Sequence, residues 1–183
     1  MDKKMTRAPD STEPAFGPRE GEVRLERDPA QMAPDASVVF IGHVVSPWKL
    51  REECPKNMRA ARETGKAARV QIDSAYRPGL AGLERASHAV VLTWLDRSPR
   101  NLIVQKPRHA ADVKGVFGLR SPARPNPIGL HVARLLSLDI AAGILEIDAI
   151  DVLDGTPIVD LKPYMPSIDA FPDAVVDGRE GSR

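Results

Sequence analysis

The chain has 183 residues, of which 42% are hydrophobic and 28% charged, and its formal net charge is +1. This size suggests one domain with a core of ordinary extent. No apolar stretch approaches the roughly 20 residues of a membrane-spanning helix, and the N-terminal segment lacks the apolar run of a secretory signal. With one cysteine, Cys54, the chain cannot form an intrachain disulfide, so we expect a cytoplasmic protein without a membrane segment.

The charges are unevenly distributed along the chain. Residues 49–69 contain seven Lys or Arg against three acids, and residues 96–124 contain seven against two. Residues 139–173 contain one Lys and eight acids. Such a chain can present a basic face to a polyanion although its net charge is small. Equally, the blocks can neutralise each other across the fold, and composition leaves both alternatives open.

The two ends of the chain read as tails. Residues 1–36 are rich in Pro, Asp, Glu and Arg without apolar periodicity, which predicts a flexible tail with a short strand near Val23–Leu25. Residues 171–183 are predicted to form a second tail. The folded domain is therefore expected to span residues 37–170.

Short apolar segments between turn signals predict a chain made mostly of strands. Residues 50–68 are charged and rich in Ala, and their second half is expected to be helical, with a further helical turn at Leu83–Ser87. In chain order, the predicted strands are Val38–Val45, Arg69–Ile72, Ala89–Leu95, Val113–Leu119, Leu130–Leu138, Ile144–Leu153 and Pro157–Leu161.

This spacing favours a mainly β fold, a small closed or barrel-like sheet with few short helices. An α+β arrangement is the alternative. The βαβ rhythm of a Rossmann fold is absent, and the sequence contains neither of the common glycine-rich nucleotide motifs.

The proline-rich segment Arg120-Ser-Pro-Ala-Arg-Pro-Asn-Pro-Ile-Gly-Leu130 is the most informative motif. Its prolines fix φ near about −65° and remove backbone donors, so it can form neither a helix nor a central strand. Gly129 then lets the backbone turn into the apolar run that follows. We expect a stiff loop with Arg120, Arg124 and Asn126 at its edge. It serves either as a platform for a polar ligand or as a plain connection between strands.

The histidines and the cysteine give no metal or nucleophile signature. None of the spacings typical of zinc ligands occurs among Cys54, His43, His88, His109 and His131, so we expect no bound metal. Ser87 and His88 precede a predicted strand, either as a proton relay or as a strand-start pair.

The acidic C-terminal third contains two further candidates. Asp148, Asp151 and Asp154 lie three residues apart, which on a strand places neighbours on opposite faces, so one of the first two can reach a ligand hydroxyl or ammonium group. Asp154-Gly-Thr is expected to be a turn in which the Asp caps its own backbone. In Asp160-Leu-Lys-Pro-Tyr164, Lys162 and Asp160 share a strand face and can pair, and Tyr164 can stack on a base.

Six segments, in order along nearly all of the core, match the motifs of one family. They are Ile41–Pro47, Cys54–Asn57, Tyr76–Glu84 with Ser87-His88, Gly115–Phe117, Arg120–Leu130 and Asp154–Tyr164. On these segments the chain resembles the TsaA-like family, whose characterised members are S-adenosylmethionine-dependent tRNA methyltransferases of the TrmO type. The chain ends about 20 residues past Tyr164, so we expect the short, single-domain form.

The resemblance implies a small β-barrel-like sheet and a homodimer with S-adenosylmethionine bound near the subunit interface. It also implies the reaction, which adds a methyl group to the exocyclic amine of threonylcarbamoyl-modified adenosine beside the tRNA anticodon. Two alternatives remain, namely an S-adenosylmethionine-binding protein with another methyl acceptor and a non-enzymatic sensor of the cofactor or of RNA.

The resemblance also assigns positions to the cofactor. The matching contacts are Lys56, Asn57, Met58, Leu95, Asp96, Arg120, Leu130, Asp148, Ala149, Ile150 and Asp151. We expect a carboxylate of the run from 148 to 151 to hold ribose hydroxyls or the ammonium group. Arg120 is expected to pair with the methionine carboxylate.

Other residues are candidates for contacts with the acceptor RNA. Lys162, Tyr164 and Asn126 are the candidate catalytic residues that would place the modified adenosine, with Arg124 beside them. The basic segments 59–69 and 97–108 are expected to hold tRNA phosphates in a salt-sensitive manner. Their candidate residues, with Arg124 added, are Arg59, Arg62, Lys66, Arg69, Arg97, Arg100 and Arg124.

Two substitutions separate cofactor binding from turnover. We expect Arg120→Ala to weaken binding of S-adenosylmethionine, because a charged partner of its carboxylate is lost. Lys162→Ala is expected to spare that binding while impairing turnover. Titration calorimetry on both variants measures the difference, and binding as tight as wild type by Arg120→Ala would contradict the assignment.

Overall fold

The computed structural model describes residues 19–107 and 111–176. The predicted contributions of Arg108 and His109, half of the predicted N-terminal tail and seven residues of the predicted C-terminal tail lie outside the described residues. Two compact units are present. The smaller unit combines the segment ending at Ala33 with Ser98–Asn126, and the larger combines Pro34–Arg97 with the chain from Pro127 onward.

Strands dominate both units. In chain order they are β1 (Val23–Arg24), β2 (Gly42–Val45), β3 (Ala68–Ile72), β4 (His88–Trp94), β5 (Leu102–Gln105), β6 (Lys114–Gly115), β7 (Ile128–Asp139), β8 (Ile144–Ile147) and β9 (Pro157–Pro163). The α-helices are α1 (Met58–Glu63) and α2 (Pro166–Asp169). Short 3-10 helices lie at Pro29–Gln31, Ser74–Leu80, Leu83–Arg85 and Val116–Gly118.

The larger unit is a closed antiparallel barrel with strand order β2-β3-β8-β7-β4-β9. This confirms the mainly β, barrel-like fold and is unlike a Rossmann fold. Closure pairs both edges of every strand, so the barrel leaves no free edge for association with another chain.

Alternating residues fill the barrel. In β3 and β4 every second residue is buried, as expected for strands with one face toward a core. Each aliphatic side chain removed from water contributes about 1.5–3 kcal/mol. The fully buried aliphatic residues of the larger unit include Val44, Val70, Ile72, Val91, Leu145, Ile147, Ile150 and Ile158.

Strand β7 has the opposite phase from the one its sequence indicates. The apolar residues Leu130 and Val132 alternate along the predicted strand, but the buried positions are Gly129, His131 and Ala133. Gly129 does not turn the chain, because it lies within the strand. A Cβ there would overlap Thr93 Oγ1 and His131 Nε2, so the position needs a residue without a side chain.

The turn at Asp154 is present, but the Asp154 side chain binds residues outside the turn and does not cap its own backbone as predicted. Asp154 Oδ1 accepts from the amide of Ser46 at 2.9 Å, and Oδ2 lies 2.6 Å from Lys49 Nζ. The cap is therefore formed across 108 residues of sequence rather than on its own turn. Burial alone would raise the pKa of the Asp154 carboxyl, but the hydrogen bonds from Lys49 and Ser46 and the charges of Lys49 and His43 lower it.

Two predicted strands of the larger unit are longer in the sequence pattern than in the structure. Val38, Val39 and Phe40 are exposed, and pairing with β3 and β9 begins only at Gly42. The strand expected over Ile144–Leu153 ends at Ile147. It ends there because the Asp148 side chain, rather than a backbone carbonyl, accepts the amide of Arg134.

The helical half of residues 50–68 is shorter than predicted. α1 begins after Asn57, whose side chain accepts from the amide of Ala60 at 2.9 Å, and it ends at Glu63. Arg69 lies in β3. The basic residues of this segment are therefore divided between the helix (Arg59 and Arg62), the loop after it (Lys66) and β3 (Arg69).

The smaller unit has its own sheet, β1-β5-β6, and buries Leu102, Val116 and Ala123. The strand predicted over Val113–Leu119 is reduced to β6, because the chain then forms a 3-10 helix. The described part of the predicted N-terminal tail contributes β1, which pairs with β5. The division into tail, domain and tail stays a prediction.

We predict that Gly42→Ala strongly destabilises the barrel. A Cβ at Gly42 would overlap the backbone carbonyl of Gln71 on the paired strand, which cannot move without breaking the β2–β3 ladder. Overpacking of this kind costs about 1–3 kcal/mol. Urea unfolding followed by circular dichroism measures the loss, and Gly79→Ala is the control because its Cβ would meet open space. Equal stability of the two variants would contradict the prediction.

Candidate functional site

Arg62 holds helix α1 to the barrel by polar contacts. Arg62 Nε donates to Asp148 Oδ2 at 2.8 Å, and Arg62 NH2 donates to the carbonyl of Val132 in β7. The predicted cofactor residues Asn57 and Met58 begin this helix, so the structure brings them to the same side of the barrel as Asp148. Asn57 itself is the helix N-cap, and Lys56 before it is exposed.

The run from Asp148 to Asp151 follows β8 and lies along β7. Asp148 has both oxygens engaged, since Oδ1 accepts from the Arg134 amide and Oδ2 from Arg62. Ala149 and Ile150 are buried, and the carbonyl of Ile150 accepts from the indole of Trp48 at 2.7 Å. The run is thus fixed along its length before any ligand binds.

Asp151 takes part in a buried polar chain inside the barrel. His131 Nδ1 lies 2.6 Å from Asp151 Oδ1, and His131 Nε2 lies 2.9 Å from Thr93 Oγ1. The side chains of His131 and Asp151 are 6% and 17% exposed. Asp151 therefore connects the interior of the barrel with its surface.

Cys54 lies near this carboxylate. Burial of the thiol and the negative charge of Asp151 raise the pKa of Cys54 to about 11, against a smaller opposite effect of Arg51. A thiol with this pKa stays protonated near neutral pH, which makes it a poor nucleophile.

The remaining predicted cofactor residues of the larger unit lie around β4 and β7. Leu130 is 47% exposed on the outer face of β7, opposite Leu92 of β4. Leu95 is half-buried, and its amide donates to the carbonyl of Pro127; Asp96 after it is exposed. These positions offer apolar surface and one carboxylate.

Arg120, Arg124 and Asn126 belong to the smaller unit. Arg120 is exposed. Arg124 is turned into its own loop, where it donates to the carbonyls of Val116, Leu119 and Ser121. It therefore stiffens the proline-rich loop from within rather than projecting from its edge.

Arg100 holds the other side of that loop. Its Nε donates to the carbonyl of Pro125 at 2.6 Å, and its NH2 donates to Asn126 Oδ1 at 3.3 Å. Arg100 and Asn126, which are predicted to contact the acceptor RNA, thus also help to hold the proline-rich loop in place.

Lys162 and Tyr164 lie at the end of β9. Lys162 Nζ is 2.8 Å from Asp160 Oδ2, which confirms the expected pair. The Tyr164 ring meets His88 edge-on at 6.3 Å between centroids, and His88 Nδ1 lies 2.9 Å from Ser87 Oγ. Tyr164 also lines a cleft of about 310 Å³ with Gly82, Arg85, Ala86, Pro163, Met165, Pro166 and Ser167.

The other predicted phosphate-binding residues are exposed, and most have partners in the fold. Arg59 pairs with Glu63 and Arg69 with Glu146, both at the surface. Arg97 donates to the carbonyl of Asp154, and Lys66 lies over the ring of Trp48 at 5.0 Å. Exposed pairs of this kind are weak, so their arginines remain able to exchange a carboxylate for a phosphate.

Sequence reasoning missed the roles of Thr93, His131 and Trp48. His131 was set aside because it matched no metal spacing, and Thr93 lay within an apolar strand. The available signal was Gly129-Leu-His131, a small and a polar residue at alternate positions between the apolar residues Ile128, Leu130 and Val132.

Within residues 19–107 and 111–176, no group of three or more His, Cys, Asp or Glu is arranged to hold a metal ion. In the same residues, no helix is long and apolar enough to cross a membrane.

The family model of the tRNA-methyltransferase O N-terminal domain matches residues 43–170. This match includes nearly all of the barrel, the run from 148 to 151 and the basic segments 59–69 and 97–108. The chain belongs to the TrmO N-terminal-domain family. The TsaA-like resemblance seen in the sequence is thereby confirmed.

Relatives of this TrmO-family chain are named for cofactor binding or for methyl transfer. A probable S-adenosyl-L-methionine-binding protein of Archaeoglobus fulgidus is 39% identical over 136 residues, 74% of this chain and 36% of the relative. A tRNA (adenine(37)-N6)-methyltransferase of Eikenella corrodens is 46% identical over 74 residues, 39% of this chain and 42% of the relative.

The crystal structure of TrmO from Pseudomonas aeruginosa superposes with a TM-score of 0.63 at 30% sequence identity. The superposition covers 80% of this chain and 64% of that one. This TrmO-family chain thus spans less than two thirds of the length of each of these three proteins.

We predict that the rate of alkylation of Cys54 depends on the negative charge of Asp151. At pH 8 a thiol of pKa about 11 has a thiolate fraction about a hundredfold below that of one at the ordinary 9.0, so alkylation by iodoacetamide is slow. Asp151→Asn removes the negative charge and is expected to lower the pKa and speed alkylation.

Asp148→Asn serves as the matched control, because Asp148 is not among the groups that raise this pKa. The rate of alkylation against pH measures the pKa in each variant. Equal profiles for wild type and Asp151→Asn would contradict the proximity of the two side chains.

Proposed function

We propose that this protein is an S-adenosylmethionine-dependent methyltransferase that acts on the exocyclic amine of threonylcarbamoyl-modified adenosine beside the tRNA anticodon. The match of the TrmO N-terminal-domain family over residues 43–170 carries the proposal. The names of the relatives support the cofactor and the class of acceptor.

The residues around Asp151 fit such a cofactor. Asp151 offers a fixed carboxylate to hydroxyl or ammonium donors, and within the described residues its Oδ2 has no hydrogen-bond partner. The exposed Leu130 and the half-buried Leu95 and Met58 offer apolar surface, and apolar surface with a few polar groups is the usual composition of a small-molecule site. Asp148 is the weaker candidate ligand, because Arg62 and the Arg134 amide engage both of its oxygens.

The bound cofactor would supply a methyl group already activated on a positively charged sulfur. The chain then has to align the acceptor amine with that methyl group, which is a problem of position rather than of acid–base chemistry. The run from 148 to 151, fixed to β7 and to Trp48, provides a rigid base for this alignment. No general base is required of the protein, because the acceptor nitrogen can lose its proton after the transfer.

The cleft beside Tyr164 is the proposed acceptor site. It combines the Tyr164 ring with the exposed guanidinium of Arg85, and single-stranded bases bind on such aromatic and guanidinium planes. Lys162 lies two residues away on β9 and would contact the acceptor after releasing Asp160. The role of Asn126 in catalysis stays a prediction, as does that of Arg120 in cofactor binding.

The proposed assembly is a cytoplasmic homodimer with the cofactor near the subunit interface. The outer face where β4 and β7 pair supports it, because Ile128 and Leu130 are 46% and 47% exposed there. Apolar side chains grouped on one sheet face mark interaction surfaces more often than isolated ones do. tRNA would bind through the exposed basic residues described above.

A binding protein with another methyl acceptor, or a sensor without turnover, is the second candidate. It is supported by the Archaeoglobus relative, which is named only for binding S-adenosyl-L-methionine. It predicts cofactor affinity without methyl transfer to tRNA.

The deciding experiment measures methyl transfer from labelled S-adenosylmethionine to tRNA with and without the threonylcarbamoyl modification. We expect label only in the modified tRNA. Label in neither tRNA, together with intact cofactor binding, would favour the second candidate.

Asp151→Asn tests the cofactor site separately. Loss of one hydrogen bond from a charged acceptor is expected to weaken S-adenosylmethionine binding about tenfold or more. Asp73→Asn is the matched control, because Asp73 is an exposed carboxyl that makes no helix-capping hydrogen bond. Calorimetry measures both, and unchanged affinity in Asp151→Asn would exclude this carboxylate as a ligand.

A further inference from the structure

The side chains of Thr93, His131 and Asp151 form a hydrogen-bonded chain in the interior of the barrel. Packing alone does not require polar residues there. Thr93 is fully buried and His131 is 5% exposed, while their inward-facing neighbours Val91 and Ala133 are apolar and fully buried. Buried polar groups stabilise a fold little and cost free energy when they lack partners. Here Thr93 Oγ1 and both ring nitrogens of His131 have partners, and the chain ends on Asp151, a residue of the proposed cofactor site.

The chemistry of the three groups fixes the direction of their hydrogen bonds. An ionised carboxylate only accepts, so His131 Nδ1 carries the proton and donates to Asp151 Oδ1 over 2.6 Å. In the neutral ring Nε2 then accepts, and the Thr93 hydroxyl donates to it over 2.9 Å. The carboxylate thus selects the ring tautomer, and the Thr93 hydroxyl, which can donate or accept, satisfies the remaining ring nitrogen.

The surroundings hold the imidazole ring in this orientation. Gly129 lies two residues before His131 on the same inward face, and a Cβ there would overlap both Thr93 Oγ1 and His131 Nε2. Thr93 lies on β4 directly opposite Gly129 of β7. The ring therefore fills space that Gly129 leaves on the inward face of β7.

We propose that His131 is a positioning residue that sets the Asp151 carboxylate so that Oδ2 faces the bound cofactor. This inference rests on the proposed function. It goes beyond it by assigning a role to a buried residue that contacts the cofactor only through Asp151. Holding Oδ1 in place fixes the direction in which Oδ2 points. The Asp151 carboxylate therefore loses less rotational freedom when the cofactor binds.

Two substitutions at His131 separate positioning from packing. In His131→Asn the amide nitrogen lies near the place of Nδ1 and can still donate to Asp151. In His131→Gln the amide lies near the place of Nε2, toward Thr93, and the donor to Asp151 is lost. Both leave the ring volume unfilled, so both are expected to lower the thermal midpoint by similar amounts.

Cofactor affinity is expected to distinguish the two variants of the full chain. By calorimetry with S-adenosylmethionine, His131→Gln should bind about tenfold more weakly than wild type, and His131→Asn within about threefold of wild type. Wild-type affinity in His131→Gln would overturn the inference, and so would an equal loss in both variants, because the ring would then act only by packing.

The wild-type protein gives a second readout that needs no variant. Long-range 1H–15N correlation of the His131 ring should show the proton on Nδ1, and the signals should shift when S-adenosylmethionine is added. A ring protonated only on Nε2 would overturn the inference, since Nδ1 could not then donate to Asp151. Absence of cofactor binding by the wild type would instead remove the proposed function, and this inference with it.

Discussion

The larger unit depends on β9, because this strand closes the barrel. One edge of β9 pairs with β2 and the other with β4, so β9 joins the two ends of the strand order and closes the barrel. The loop before β9 is held by Asp154, which binds Ser46 and Lys49, and by the amide of Gly155, which donates to Val44. Lys162 lies in the part of β9 that pairs with β4, opposite Val90, and Tyr164 directly follows the strand. Closure and the proposed acceptor cleft are therefore set by the same strand.

A closed barrel with a small interior leaves little room for chemistry inside it. Apart from Thr93 and His131, the polar groups of the candidate site lie outside this packed interior. The run from 148 to 151 shows how this is done, since it leaves the ladder at Asp148 and is then held by Arg62, Arg134 and Trp48. Rigid attachment to a packed scaffold suits a reaction that needs alignment more than proton transfer.

Much of the fold was predictable, because turn residues and β-branched segments mark the strands of a barrel. β3, β4, β7 and β9 lie within two or three residues of their expected bounds. The errors arise where local pattern competes with long-range pairing. Val38, Val39 and Phe40 have strong strand propensity, but the strand register with β3 starts at Gly42. Strand β8 ends at Ile147, where the carboxylate of Asp148 accepts a hydrogen bond from the amide of Arg134.

The candidate site was predictable in outline and less so in detail. Motifs nominate the residues from 148 to 151, Arg120 and Lys162, and their roles stay predictions; a motif carries no information on which atoms are already engaged. The sequence could not reveal that Arg62 and the Arg134 amide occupy both oxygens of Asp148, or that Arg124 is turned into its own loop. Those facts depend on contacts between residues far apart in the chain.

The phase of β7 divides its positions into two groups with different tolerance for change. Gly129, His131 and Ala133 face inward, where added volume or lost hydrogen bonds affect folding directly. Ile128 and Leu130 face outward, so polar replacements there leave the core intact and alter only what the surface can hold. Stability and binding can therefore vary independently along a single strand, and variants of this barrel can acquire new surface specificity without first repairing their core.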